Sequence, residues 1–352
     1  MRFVNMKTKS NLTFSCRSWL AACGLSVLSL AAHAQTFPVT VDSCGEKLTF
    51  TAPPKAALIH DINMTDMALS LGLQSQMAGV SGITGWYKMS PEFKQALGNI
   101  KEIAPKQPSL ENILALKPDF FFAGWNYGMA VGGEVTPTTL KKYKIPTLVL
   151  SESCIHVDKA RPPASMELRY ADYLKLGTIF GKEAQAKAQI AQWKQRLAAL
   201  PKAIGKEPLR MFLFDSGEDK PFTAGKFAIP TAMMAAVGGR NIMDDVDASW
   251  GTVAWEAVAA RNPEFLVLLD YQNDGGADKL LQFLQTHPLR QHTTAVNNKR
   301  FNPPGRLGCA SRLTTDCRNV TSTTPDDTTD TKGTLSWAMS SSSTSPTSRG
   351  RP

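Results

Sequence analysis

The sequence predicts an α/β protein of two Rossmann-like lobes with mainly parallel sheets, bridged by a single long interlobe helix. Three observations carry that expectation. Short apolar runs alternate with helical segments, the pattern of parallel strands covered on both faces. The segment "ENILALKPDFFFAG" at Glu111 returns at Glu256 as "EAVAARNPEFLVLL". Between the copies lies a long stretch rich in Ala, Gln and Lys, and 352 residues suffice for two cores.

The elements follow in order. From Ala56, "AALIH" reads as a strand, "NMTDMALSLGL" as a helix with Asn63 as N-cap, and "MAGVSG" as a second strand. The helix "SLENILAL", the strand "FFFAG", the helix around "TPTTLKKY" and the strand "PTLVL" complete an N-terminal lobe placed at 35–165. Residues 166–205 form a helical region. Met166 to Leu200 reads as helix throughout, with Gly181 the one obvious interruption, and "KEAQAKAQIAQWKQRLAAL" would run roughly 30 Å at about 1.5 Å per residue. A C-terminal lobe at 206–301 follows: strand "RMFLFD", helices "IPTAMMAAVGG" and "VAWEAVAA", strand "FLVLLD", helix "ADKLLQFLQT", and "AVNNKRF" as a last strand. In each copy of the repeat an acid opens a helix, a proline (Pro118, Pro263) ends it, and a phenylalanine (Phe120, Phe265) starts a buried strand.

Both ends of the chain differ from this pattern. Residues 1–34 hold Arg2, Lys7, Lys9 and Arg17, no acid, and the apolar run "WLAACGLSVLSL", then "AHA". That reads as a signal peptide cleaved after Ala34, in preference to a lipid anchor at Cys23, and places the protein in the periplasm. Residues 302–352 are dominated by Ser, Thr, Pro and Asp and are expected to be disordered or frame-shifted.

Four of the nine net positive charges lie in the first 34 residues and two in the stretch after Phe301, which leaves about three for the folded part. With no basic stripe and no interleaved aromatics, a nucleic-acid partner has no support. Cys44, Cys154, Cys309 and Cys317 remain after cleavage and allow three pairings. Cys44 and Cys154 each flank a predicted strand of the first lobe and are the favoured bridge, the alternative being two buried thiols. No CxxC, HExxH or GxSxG spacing occurs, and five scattered histidines form no metal set, so neither a metal site nor catalysis is expected.

Four stretches together carry a family resemblance: "APPKAALIHDINMTDMALSLGL", "SLENILALKPDFFFAG", "LGTIFGKEAQAKAQIAQW" and "SWGTVAWEAVAARNPEFLVLLDY". Over Phe37 to Phe301 the chain resembles the substrate-binding proteins of ABC importers, in the class with one long interlobe helix that carries ferric siderophores, haem or cobalamin. The resemblance implies a monomeric receptor with no cofactor, working with an ABC permease and its ATPase at the inner membrane. Its ligand would be a small-molecule metal chelate: an iron chelate first, with a corrinoid or haem as alternatives. It implies that Glu111 and Glu256 dock on permease arginines. Each acid could instead merely stabilise its own helix N terminus. The closing elements of the second lobe, expected in that family, have no counterpart in the tail.

The cleft is expected where the carboxyl ends of the strands face one another. Trp86, Tyr87, Trp125, Tyr127, Lys226, Trp250 and Tyr271 are the candidate ligand contacts, with His60, Asp61, Asn126, Asp215 and Asp219 nearby. Aromatic walls suit a flat chelate, and Lys226 or Arg161 could meet negative charge. Two other functions compete: an exported metal-dependent enzyme, and a receptor for a free metal ion held by His60, His156 and the neighbouring aspartates.

Overall fold

The computed structural model describes residues 35–200, 207–271, 275–288 and 293–301; the readings for the signal segment, Cys23, Cys309, Cys317 and the tail lie outside these residues. The first half opens on an antiparallel hairpin, of which the sequence predicts only a strand beside Cys44: β1 (Val39–Ser43) and β2 (Glu46–Phe50). There follow β3 (Ala57–His60), α1 (Ile62–Ser70), β4 (Met77–Ser81), α2 (Pro91–Leu97), β5 (Glu102–Ala104), α3 (Leu110–Leu116), β6 (Phe120–Trp125), β7 (Gly128–Met129), α4 (Pro137–Lys142) and β8 (Thr147–Val149). The sheet runs β5-β4-β3-β6, β7 and β8 both pair with β6, and every pairing is parallel. All six residues of β6 are buried, as a strand covered on both faces requires. The N-cap of α1 is Asp61 rather than Asn63. The chain turns sharply there (φ 66°), which lets the Asp61 carboxylate accept the Asn63 N–H at 2.9 Å.

The helical region is a hairpin and not one continuous helix. Gly181, at φ +69°, separates α5 (Met166–Ile179) from α6 (Glu183–Ala199), and the left-handed backbone there ends the first helix and reverses the chain. Lys194 therefore pairs with Glu167 at 2.9 Å, and the buried Trp193 ring lies 4.6 Å from Tyr173 and 6.3 Å from Tyr170. α6 is the element that leads toward the second sheet, packed along α5 instead of standing free.

The second half comprises β9 (Leu209–Phe214), β10 (Phe222–Ala224), α7 (Ile229–Ala236), β11 (Gly239–Asn241), β12 (Trp250–Thr252), α8 (Trp255–Arg261), β13 (Phe265–Leu268), α9 (Gly276–Thr286) and α10 (Thr294–Asn297). Its parallel sheet is ordered β11-β9-β13, and β10 and β12 form a separate antiparallel pair. "AVNNKRF" is not a strand. Its first residues close the turn of α10, Lys299 takes φ +52°, and only Phe301 reaches the sheet, bridging Leu266.

The repeated segment has one geometry in both halves. α3 ends on Lys117 and α8 on Asn262, each left-handed, with a buried proline next. The acid that follows then clamps the neighbouring strand: Asp119 accepts N–H groups of Lys55 and Ala56 at 2.7 and 2.9 Å, and Glu264 accepts that of Arg210 at 3.1 Å. In return the Asp119 N–H donates to Ala56 and the Glu264 N–H to Arg210. The unit thus fixes the register of β6 on β3 and of β13 on β9.

Candidate functional site

A cleft of about 310 Å³ opens where the carboxyl ends of the two sheets meet. Asn63, Tyr87, Lys88, Asn126, Tyr127, Glu152 and His156 line it from the first half. Asp215, Phe222, Ile229, Trp250, Asp270 and Tyr271 line it from the second, and Arg169 and Asp172 of α5 form its floor.

Its polar chemistry is dominated by phenols donating to buried carboxylates. Tyr87 Oη donates to Asp61 Oδ2 at 2.6 Å, Tyr127 Oη to Glu152 Oε1 at 2.9 Å, and Tyr271 Oη to Asp215 Oδ2 at 2.5 Å. Burial, reinforced by the facing carboxylates, pushes all three phenols up, so they stay protonated at neutral pH. Burial also raises the Asp61, Glu152, Asp172 and Asp215 carboxyls, against the pull of their donors. Glu152 ties the halves together, because its other oxygen accepts the Ile229 N–H of α7 at 2.8 Å. The two cations of the cleft are committed: Lys88 Nζ sits 2.5 Å from Asp270 Oδ1, and the buried Arg169 lies in the field of Asp66, Glu152 and Asp172. Phe222 and Trp250 stack with centroids 6.0 Å apart, and the buried Trp250 Nε1 points toward Glu152 outside regular hydrogen-bond geometry.

His60 belongs to the support of the cleft and not to its surface. Its Nδ1 is 2.9 Å from Ser81 Oγ, and the ring fills the space left by two glycines. A Cβ at Gly82 or Gly128 would fall 2.3 or 2.7 Å from the imidazole. Burial lowers its pKa to about 3. A depressed histidine leaves the unfolded chain binding the extra proton, so this contribution is intact above pH 6.5 and lost as pH falls toward 3. Between pH 7 and 5 the parent should lose about 2 kcal/mol more unfolding free energy than His60→Gln. The raised carboxyls act in the opposite sense but are common to both proteins, so paired urea titrations isolate the histidine; parallel pH profiles would refute this account.

Of the residues expected at the cleft, Tyr87, Tyr127, Trp250 and Tyr271 line it, with Asn126 and Asp215. Trp86, Trp125 and Lys226 do not. Trp86, next to the inward-facing Tyr87, turns to solvent and carries Lys106 over its ring at 4.3 Å. Trp125 is still part of β6 and points into the core with Val135 and Leu140. Lys226 pairs with Asp247 at 2.9 Å. Asp219 is exposed, Arg161 pairs with Asp158, and His60 and His156 bond Ser81 and Asn126, not each other. Cys44 and Cys154 are joined, with Cα atoms 5.5 Å apart. Glu111 and Glu256 are exposed at the second positions of α3 and α8.

Lys88, Glu152, Arg169, Asp172, Phe222 and Asp270 were missed. Glu152 and Asp270 lie just past β8 and β13, where the strand-end rule reaches them. Arg169 and Asp172 depend on how α5 is rotated, for which the sequence carries no signal. Among the described residues no helix is long and apolar enough to cross a membrane.

Comparison with known proteins adds four likenesses to this geometry. The family model described as periplasmic binding protein matches residues 61–302. The chain is 27% identical over 236 residues to the vitamin B12-binding protein of Pectobacterium atrosepticum, covering 65% of this chain and 75% of that one. To the Fe(3+) dicitrate-binding periplasmic protein FecB of Escherichia coli it is 22% identical, covering 78% and 84%. Among solved structures, a periplasmic binding protein from Veillonella parvula superposes with a TM-score of 0.63 at 27% identity, covering 75% of this chain and 88% of that one.

Proposed function

This chain belongs to the periplasmic binding protein family, and from that membership we propose that it is the receptor of an ABC importer. It captures a metal chelate in the cleft between its two sheets and delivers it, as a monomer in the periplasm, to a permease and its ATPase. Of the candidate ligands, the cleft suits a corrinoid best.

The charge of the cleft carries this choice. Glu152, Asp172, Asp215 and Asp270 line it, Lys88 is paired with Asp270, and Arg169 lies in the field of Asp66, Glu152 and Asp172. A polyanionic ferric citrate or catecholate would face those carboxylates with no uncommitted positive charge to meet it. A corrinoid is nearly neutral, its apolar ring edge and aromatic axial base suit Tyr87, Trp250 and Tyr271, and its peripheral amides can donate to the carboxylates. Haem held by a tyrosinate is disfavoured, because each cleft phenol would have to lose its proton beside a carboxylate. The relative named for vitamin B12 supports the same ligand. The iron chelate favoured by the sequence is the second reading, supported by the likeness to FecB.

A thermal-unfolding screen against cyanocobalamin, haemin, ferric dicitrate and a ferric hydroxamate tests the choice. Cyanocobalamin at about a hundredfold over Kd should stabilise the fold by about 2.7 kcal/mol and raise Tm by roughly 5–10 °C. A shift with ferric dicitrate and none with cyanocobalamin would replace the corrinoid by an iron chelate.

A further inference from the structure

The repeat brings two aspartates into equivalent positions. Ala57 pairs with Phe120 and Met211 with Phe265, which sets β3 against β9 in the internal alignment. Continuing along each strand, the first residue past its end is Asp61 in one half and Asp215 in the other. Both are buried, and each accepts the hydroxyl of one cleft tyrosine. Those two tyrosines, Tyr87 and Tyr271, come from opposite halves and touch: their rings are 5.6 Å apart, tilted by 48°, and their backbones form an isolated antiparallel bridge.

We propose that Asp61 and Asp215 are a matched pair of positioning residues, which hold Tyr87 and Tyr271 as two jaws that part to admit the chelate and close on it from both lobes. This rests on the reading of the cleft as the ligand site and adds how the ligand is held. Even a bare flat group between two rings needs roughly 7–8 Å at van der Waals spacing on each face, and the axial ligands of a corrinoid need more, against the present 5.6 Å. The jaws must therefore separate, and the Lys88–Asp270 pair beside them must loosen. The carboxylates fix each ring through its hydroxyl and leave the rest of the ring to meet the ligand once the jaws part, and a jaw that is already oriented loses less freedom on binding.

Two measurements test the proposal. In the first, cyanocobalamin affinity is read for Tyr87→Phe, Asp61→Ala, Asp61→Asn, Tyr271→Phe, Asp215→Ala and Asp215→Asn, with Tm as the check on folding. Each Phe and Ala variant should lose about tenfold in affinity, a change of about 1.4 kcal/mol. Each Asn variant, which still accepts the phenol, should stay within about threefold of the parent. The Asp215 series is the cleaner one, because Asp61 also caps α1. Ala variants that bind like the parent, or Asn variants as weak as Ala, overturn the positioning role.

The second measurement needs no ligand. Oxidative cross-linking of the parent should join Tyr87 to Tyr271 as dityrosine, identified by peptide mass spectrometry, and Asp61→Ala or Asp215→Ala should lower its yield several-fold. No cross-link in the parent overturns the jaws, and an undiminished yield in both Ala variants overturns the aspartates' role. A chain that cross-links as expected but does not bind cyanocobalamin refutes the corrinoid reading alone.

Discussion

Replacing Cys44 and Cys154 together by alanine is expected to lower the unfolding free energy by about 4 kcal/mol and Tm by roughly 10 °C. The bond closes a loop of 110 residues, nearly the whole first half of the described chain. In the chain-entropy account a loop of that size restricts the unfolded state by about 4–5 kcal/mol. Native contacts act in the same direction, since Cys154 is fully buried and both cysteines pack in the cluster of Trp125, Met129 and Val149. The loss should also reach the cleft. Cys154 lies in the short helical segment Ser151–His156, which presents Glu152 to Tyr127 and Ile229 and His156 to Asn126. Freeing the tip of the β1–β2 hairpin loosens that segment, so cyanocobalamin affinity should fall along with stability. Urea unfolding under non-reducing conditions is the measurement. A loss below about 1 kcal/mol would mean that the segment is held by its other contacts, such as Ser151 on Asp172 and Ser153 on the Trp125 N–H.

What the sequence made legible was whatever rests on local periodicity. The runs at Ala57, Phe120, Leu209 and Phe265 became strands because uninterrupted apolar residues between turn signals have few other places to go. The pairing of β1 with β2 was not legible although "VTVDS" and "EKLTF" alternate, because the second strand is more polar than a buried strand. Gly181 was visible as an interruption. Whether a glycine bends a helix or ends it depends on the φ that packing imposes, and here Trp193 folding back on Tyr173 decides for reversal. The site divides on the same line. Tyrosines just past strand ends could be read as cleft residues, but neighbours such as Trp86 and Tyr87 point opposite ways, and only the fold says which one faces inward. The matched roles of Asp61 and Asp215 needed the strand registers, because the helix-to-strand repeat in the sequence stops short of both.

Reversing both Glu111 and Glu256 to arginine is expected to reduce ligand uptake through the cognate permease by more than tenfold while leaving cyanocobalamin affinity unchanged. Both acids are exposed, away from the cleft lining, and each occupies the second position of a seven-residue helix. The helices are held alike: a left-handed residue ends each, a proline follows, and an acid clamps the adjacent strand. Rigidity of this kind suits two fixed points meeting two fixed sites on a partner. If each acid only complemented its helix dipole, reversal would cost about 0.3–1 kcal/mol of stability per site and leave transport intact. If each meets a basic permease surface, reversal sets like charges face to face, which costs several kcal/mol per complex and slows encounter as well. Uptake into proteoliposomes carrying the permease and its ATPase, read beside Tm and cyanocobalamin Kd, separates the two. Single reversals should give intermediate losses, because one contact remains to hold the receptor; normal uptake by the double variant would leave the acids to their helices and require another docking surface.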